Sequence, residues 1–109
     1  NKKITSQIIL ANLPNLKAIN LQSIEAIGDL ALCQLPNCEI TYPSNLIAYY
    51  RSSNNKLYDF ESNPRRKVYF TVSQDVLDKE STKNFVQAYS AHLQEDNSTY
   101  SEYNPVNWN

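Results

Sequence analysis

The sequence predicts a two-layer α+β domain, with N-terminal helices, a three- to four-stranded antiparallel meander and a C-terminal helix packed on the sheet. Three observations predict it. Apolar residues recur at helical spacing in the first third, alternate with polar residues between positions 39 and 73, and return to helical spacing after Asp78. We expect residues 1–96 to form one domain, because 109 residues suffice for a single core, and residues 97–109 to form an aromatic-containing C-terminal tail.

The first third is expected to contain two helical segments. Thr5 or Ser6 can cap a short turn that Pro14 ends. Asn15 can cap a second segment, in which apolar side chains return every three or four residues and Gly28 is an interruption: Leu21, Ile24, Ile27 and Ala31.

The same region also contains a repeated apolar spacing. Five positions are echoed 19 residues later: Leu13, Leu16, Ile19, Leu21 and Ile24 by Leu32, Leu35, Cys38, Ile40 and Pro43. This spacing resembles that of a leucine-rich repeat, which would imply stacked units that each contribute a strand. The sequence departs from that family where Ile24 and Pro43 stand in place of its Asn, and two units are too few to build a solenoid.

The middle of the chain alternates as β-strands do. Strands are predicted over 39–42, 46–51, 56–60 and 67–73, and the run 52–55 is a hairpin turn in which Asn accepts positive φ. In the last strand Val68 and Phe70 should face inward and Tyr69 outward. The final helix should place Phe85, Tyr89 and Leu93 on one face across the sheet.

Cys33 and Cys38 flank Pro36, and a turn there could bring the two sulfur atoms together. We therefore expect a disulfide between Cys33 and Cys38; the alternative is two buried thiols in a reducing compartment. The 14 Asn, 11 Ser and 8 Tyr, with few charges and the close cysteine pair, favour an extracytoplasmic location, either periplasmic or secreted. No starting Met is present, so we expect a processed or trimmed piece whose signal peptide, anchor or sister domain is missing. The parent would be a membrane-anchored regulator or part of a secretion or surface assembly.

Catalytic, metal and cofactor sites are not expected. A single Gly cannot supply a phosphate-binding loop, and His92, the only histidine, has no second ligand at metal-site spacing. Neither cysteine lies in a nucleophile signature, so a hydrolase using Cys33 or Cys38 with His92 is disfavoured. No apolar run approaches the roughly 20 residues that span a bilayer.

Binding is the function that remains, and aromatic and basic side chains are the candidates for it. Tyr and Arg are enriched at protein interfaces, so we predict a protein partner or a homo-oligomer, in a signalling, secretion or surface assembly. The predicted contact residues are Tyr49, Tyr50, Arg51, Tyr58, Arg65, Arg66, Tyr69 and Trp108.

Nucleic-acid binding by the basic strip 51–69 is the alternative function. The predicted order of helix, three strands and helix is similar to that of double-stranded RNA-binding domains, which implies phosphate contacts by these cations. Against it stand the net charge of −1 and the acidic final helix, which lacks that family's basic start.

Overall fold

Strands, not helices, form the first third of the protein. The computed structural model describes residues 3–51 and 53–95. The strands and helices, in chain order, are β1 (Lys3–Ala11), β2 (Ala18–Asn20), β3 (Ile24–Cys33), β4 (Glu39–Thr41), β5 (Ala48–Arg51), β6 (Lys56–Asp59), β7 (Val68–Val72), α1 (Gln74–Leu77), α2 (Glu80–Ala88) and β8 (Leu93–Glu95). The prediction of N-terminal helices is therefore wrong.

β3 is the centre of a six-stranded mixed sheet. β1 pairs with β3 in parallel along one edge, while β5 and β7 share its other edge, also in parallel. β6 continues the sheet from β5 and β8 continues it from β7. The predicted antiparallel meander is wrong, since β5 and β6 form the only antiparallel pair of the described strands; the predicted hairpin is that pair.

The chain makes two similar passes before it reaches β5. β1 and β2 are followed by β3 and β4, and each later strand pairs in parallel with its earlier counterpart. Ile8 lies opposite Leu30 and Ile19 opposite Ile40, so equivalent positions are 22 and 21 residues apart. The 19-residue spacing of the sequence paired Ile19 with Cys38 and therefore gives the wrong register.

Polar residues make the turns that end the first two long strands. Asn12 after β1 and Gln34 after β3 have φ angles of 55° and 56°, and Asn55 in the hairpin turn has 54°. Asn accepts this left-handed conformation more readily than most residues. In the second turn, the Asp75 carboxylate accepts a hydrogen bond from the Leu35 amide at 2.9 Å, so α1 fixes the chain as it leaves β3.

β3 is buried on both faces, which explains the false helical pattern. Ile27, Leu30 and Leu32 are all 1% exposed or less, although Ile27 lies on the opposite face of the strand from Leu30 and Leu32. A strand enclosed in this way reads as a continuous apolar run, which periodicity cannot distinguish from a buried helix.

Aromatic side chains join the sheet to α2. The Tyr42 and Phe85 rings stack with centroids 4.5 Å apart, and Phe70 meets both rings edge-on. The Tyr42 hydroxyl shares a 2.8 Å hydrogen bond with that of Thr82. The predicted C-terminal helix is shorter than its pattern suggested, since α2 ends at Ala88 and Leu93 lies in β8.

Cys33 and Cys38 are free thiols, so the predicted disulfide is wrong. The turn between them carries the chain from β3 in the large sheet to β4 in the small one, rather than back on itself. The Cys33 thiol points to the Thr71 carbonyl, with sulfur and oxygen 3.9 Å apart, while Cys38 lines a groove beside α2.

Candidate functional site

Two strands, β5 and β7, pair with successive parts of the same edge of β3 and diverge from each other there, and we call this point the fork. Ile27 of β3 pairs with Tyr49 of β5. From Leu30 onward β3 pairs with β7 instead, beginning with Phe70. Between these two pairings β3 changes partner, because β5 leaves to form the hairpin with β6. A cavity of about 270 Å³, which we call the fork pocket, opens at this place; it is lined by Ser6, Gln7, Asp29, Tyr49, Tyr50, Arg51, Ser53 and Tyr69.

Two oppositely charged side chains in the fork pocket each contain a buried atom without a hydrogen-bond partner. Asp29 and Arg51 each lie two residues beyond the Ile27–Tyr49 pair, so alternation along β3 and β5 places them on the same face. The Asp29 Oδ1 and Arg51 Nε atoms are buried and have no hydrogen-bond partner among the described residues. Buried polar atoms are nearly always hydrogen-bonded, and leaving one unpaired costs about 1–3 kcal/mol or more if it is charged.

Tyr49 forms the inner wall of the fork pocket. It is only 6% exposed, and this burial raises the pKa of its phenol. The negative charge of Asp29 raises the pKa further, and the positive charge of Arg51 lowers it. The Arg51 guanidinium carbon lies 5.6 Å from the centre of the Tyr49 ring, within the range of a cation–π contact. Tyr50 donates a hydrogen bond to Asn55 in the hairpin turn.

A second group of rings and cations continues the site onto β6. Tyr58 lies directly opposite Tyr49, and the Arg66 guanidinium carbon is 4.4 Å from the Tyr58 ring centre. The Lys56 ammonium lies 5.7 Å from the same ring, and the Asn54 amide donates a 2.9 Å hydrogen bond to the Tyr58 hydroxyl. We call Tyr49, Arg51, Tyr58, Arg66 and Tyr69 together the aromatic–basic surface.

The predicted contact residues are distributed unevenly over this site. Tyr69 is 49% exposed, as an outward ring on β7 should be, whereas Tyr49 is buried and serves as a wall. Arg65 is exposed and lines a separate shallow pocket beside Pro64. Trp108 lies outside the described residues.

Sequence reasoning missed the polar residues that β1 and β3 contribute to the fork pocket. Asp29 is the only acid between Ala26 and Cys33, and a lone acid in an apolar run is a signal that could have drawn attention. Gln7 gave no such signal, because its position opposite Asp29 follows only from the parallel pairing of β1 with β3.

Other chemistry-bearing residues are dispersed. Within residues 3–51 and 53–95, no three His, Cys, Asp or Glu side chains converge as a metal site would require. His92 stacks on Phe60 at 4.2 Å and lines a pocket with Asp59, whereas Cys38 lines the groove beside α2. Nor does any helix in the described ranges have the length and apolar character needed to cross a membrane.

A larger groove of about 820 Å³ lies between β4 and α2. Its buried hydroxyl on Tyr42 is already hydrogen-bonded to Thr82. The groove therefore has no unsatisfied polar atom of the kind found in the fork pocket.

Comparison with protein-family models, with curated proteins and with solved structures finds no match for this chain. The fork pocket and the aromatic–basic surface offer hydrogen bonds, charge and ring faces, which are the means of binding.

Proposed function

We propose that this chain is a non-enzymatic interaction or sensory domain that binds a protein partner, or a second copy of itself, through the aromatic–basic surface. The observation that carries the proposal is the arrangement of Arg66 over Tyr58 at 4.4 Å, on the same sheet as a Tyr69 ring that is 49% exposed. Rings and guanidinium groups of this kind dominate the binding energy of many protein interfaces.

The preorganisation of these side chains supports the proposal. The Tyr58 hydroxyl accepts a hydrogen bond from Asn54 while Arg66 lies over its ring, so the Tyr58 side chain is held in position before a partner arrives. Binding then loses less side-chain entropy, which is one of the main costs of association. We include the tail 97–109 with Trp108 in the proposed surface on sequence grounds.

An extracytoplasmic location, as part of a membrane-anchored regulator or of a secretion or surface assembly, belongs to the same proposal. It is supported by composition, in which uncharged Asn, Ser and Tyr replace much of the usual charge. The free cysteines remove the other argument for an oxidising compartment.

Nucleic-acid binding has less support from the geometry. Single-stranded nucleic acid would stack its bases on exposed tyrosine faces. The Tyr58 ring is already in contact with Arg66 and Lys56, and Tyr49 is buried. Tyr69, at 49% exposure, is therefore the one ring of the aromatic–basic surface that is open for stacking.

The proposal can be tested by site-specific photo-crosslinking. A photoreactive phenylalanine analogue would replace Tyr69 in the full-length protein, expressed in its own cells; Gln87, exposed on α2, takes the same analogue as the matched control. We expect a discrete protein adduct from position 69 only, lost when Arg66→Ala and Tyr58→Ala are added.

Three results would overturn the proposal: no adduct at position 69, equal adducts at positions 69 and 87, or an adduct that the two added substitutions leave unchanged. An adduct with nucleic acid, with binding of a labelled oligonucleotide that weakens steeply between low and moderate salt, would instead establish the alternative. A protein contact centred on tyrosine should respond only weakly to salt.

A further inference from the structure

The fork pocket combines Arg51, which belongs to the aromatic–basic surface, with Asp29, which does not. Arg51 Nε can only donate a hydrogen bond and Asp29 Oδ1 can only accept one when ionised, and neither finds a partner among the described residues. The two atoms lie on neighbouring strands of one sheet face, yet they do not satisfy each other. The fork pocket is thus lined by a cation and an anion, each with one buried hydrogen-bonding atom that has no partner among the described residues.

The chemistry of a complementary ligand follows from the donor character of Arg51 and the acceptor character of Asp29. A carboxylate would accept from Arg51, and an ammonium group would donate to Asp29; charge-assisted bonds of this kind are roughly twice as strong as neutral ones. A ligand with only a positive charge would be repelled by Arg51, and a ligand with only a negative charge by Asp29. A molecule that carries both charges complements both side chains with charge-assisted bonds.

The volume and the lining of the fork pocket restrict the class of ligand further. A cavity of about 270 Å³ is slightly below the usual range of pockets that hold drug-sized molecules. Tyr49 and Tyr69 supply ring surface for an apolar or amphipathic substituent, while Ser6 and Gln7 supply neutral hydrogen-bonding groups from β1.

We propose that the fork pocket is a binding site for a small zwitterion of the α-amino acid class, with its carboxylate on Arg51 and its ammonium group on Asp29. Such a ligand would bridge β3 and β5 beside the start of β7, and so connect the strands on which Tyr49 and Tyr69 lie. This site is complete within one chain, although Tyr49, Arg51 and Tyr69 also belong to the aromatic–basic surface.

The experiment titrates the purified chain with free amino acids of increasing side-chain size, from glycine and alanine to leucine and glutamine. Each is paired with its N-acetyl and its carboxamide derivative, which remove one charge at a time. Binding is followed by ¹H–¹⁵N correlation spectra, in which we expect saturable shifts at the amides of Gln7, Asp29, Arg51 and Tyr69. Acetylation or amidation should each weaken binding about tenfold or more.

Substitutions test the same assignment from the protein side. Asp29→Asn and Arg51→Gln should each weaken binding of the free amino acid at least tenfold, whereas Asp59→Asn on β6 and Lys83→Gln on α2, which lie outside the pocket, should leave it unchanged. The spectra also report whether each variant is folded. If a pocket variant unfolds, the derivative series on the unsubstituted chain still decides the matter.

The proposal is overturned if no amino acid shifts the spectrum at millimolar concentration, if the shifts lie away from the fork pocket, or if the charged and blocked forms bind equally. Equal binding of the free and the blocked amino acids would mean that the pocket recognises an amide and not a zwitterion. Because no partner protein is present in this experiment, its failure leaves the crosslinking result at position 69 untouched, and the reverse also holds.

Discussion

Gly28 is the residue whose side chain the fold excludes most directly. A Cβ at this position would overlap the carbonyl oxygen of Ser6 in β1 and would also meet that of Tyr50 in β5. Both atoms belong to backbone, so neither can move aside as a flexible side chain would. We predict that Gly28→Ala destabilises the protein by about 1–3 kcal/mol, the usual cost of overpacking, measured as a lower urea midpoint.

The matched control for this prediction is Glu39→Ala on β4, an exposed position where the change should stay within about 0.5 kcal/mol. A Gly28→Ala midpoint equal to that of the unsubstituted chain would show that β1 does not run against β3 as described.

Cys33 predicts a dependence of stability on pH. Burial raises the pKa of its thiol from 9.0 to about 11, and the nearby negative charge of Asp75 adds to the effect. Below about pH 9 the thiol keeps its proton in both states, so its contribution is fully present. Between about pH 9 and 11 only the unfolded chain loses the proton, and stability falls by at most about 1.4 kcal/mol per pH unit.

The contribution of Cys33 can be isolated from that of other groups with Cys33→Ala. Burial also raises the pKa of Tyr42, so the unsubstituted chain alone would report several groups at once. We expect the free-energy difference between the two proteins, from urea unfolding at about pH 8 and about pH 11, to shrink as pH rises. A difference that does not change with pH would contradict the assignment.

At the scale of elements, the sequence predicts best where neighbours in sequence are also neighbours in space. The β5–β6 hairpin and its turn depend on contacts a few residues apart, and β7 shows clean alternation of buried Phe70 with exposed Tyr69. β1 and β3 pair at a distance of 22 residues, so nothing local to either strand distinguishes it from a buried helix.

The candidate site also combines residues that are neighbours in sequence with residues that only the fold brings together. Tyr49, Tyr50 and Arg51 are consecutive on β5, and their joint presence was predictable from the sequence. Asp29 joins them only because β3 lies beside β5, and Tyr69 because β7 occupies the rest of the same edge. The pocket is therefore a product of topology, which composition and periodicity do not reveal.

At the scale of the whole molecule, the divided edge of β3 ties distant parts of the chain into one core. β5 and β7 together take the place that a single strand would fill, and the hairpin between them is accommodated without breaking the sheet. Leu30 lies opposite both Ile8 and Phe70, so one layer of the core combines the first strand with the seventh. We therefore expect the described part of the chain to unfold as one cooperative unit.

Phe70 and Tyr69 test this view of the molecule, since they are consecutive on β7 and face opposite ways. Phe70 is fully buried and contacts the Tyr42 and Phe85 rings, so Phe70→Ala should cost about 3–5 kcal/mol, a large part of a typical total stability. Tyr69→Ala should cost about 1 kcal/mol or less, because the ring is 49% exposed.

Urea unfolding followed by circular dichroism and by tyrosine fluorescence should give coincident transitions for both variants. Equal losses from the two substitutions would mean that β7 does not face the core with Phe70, and separate transitions would mean that the two ends of the sheet fold independently.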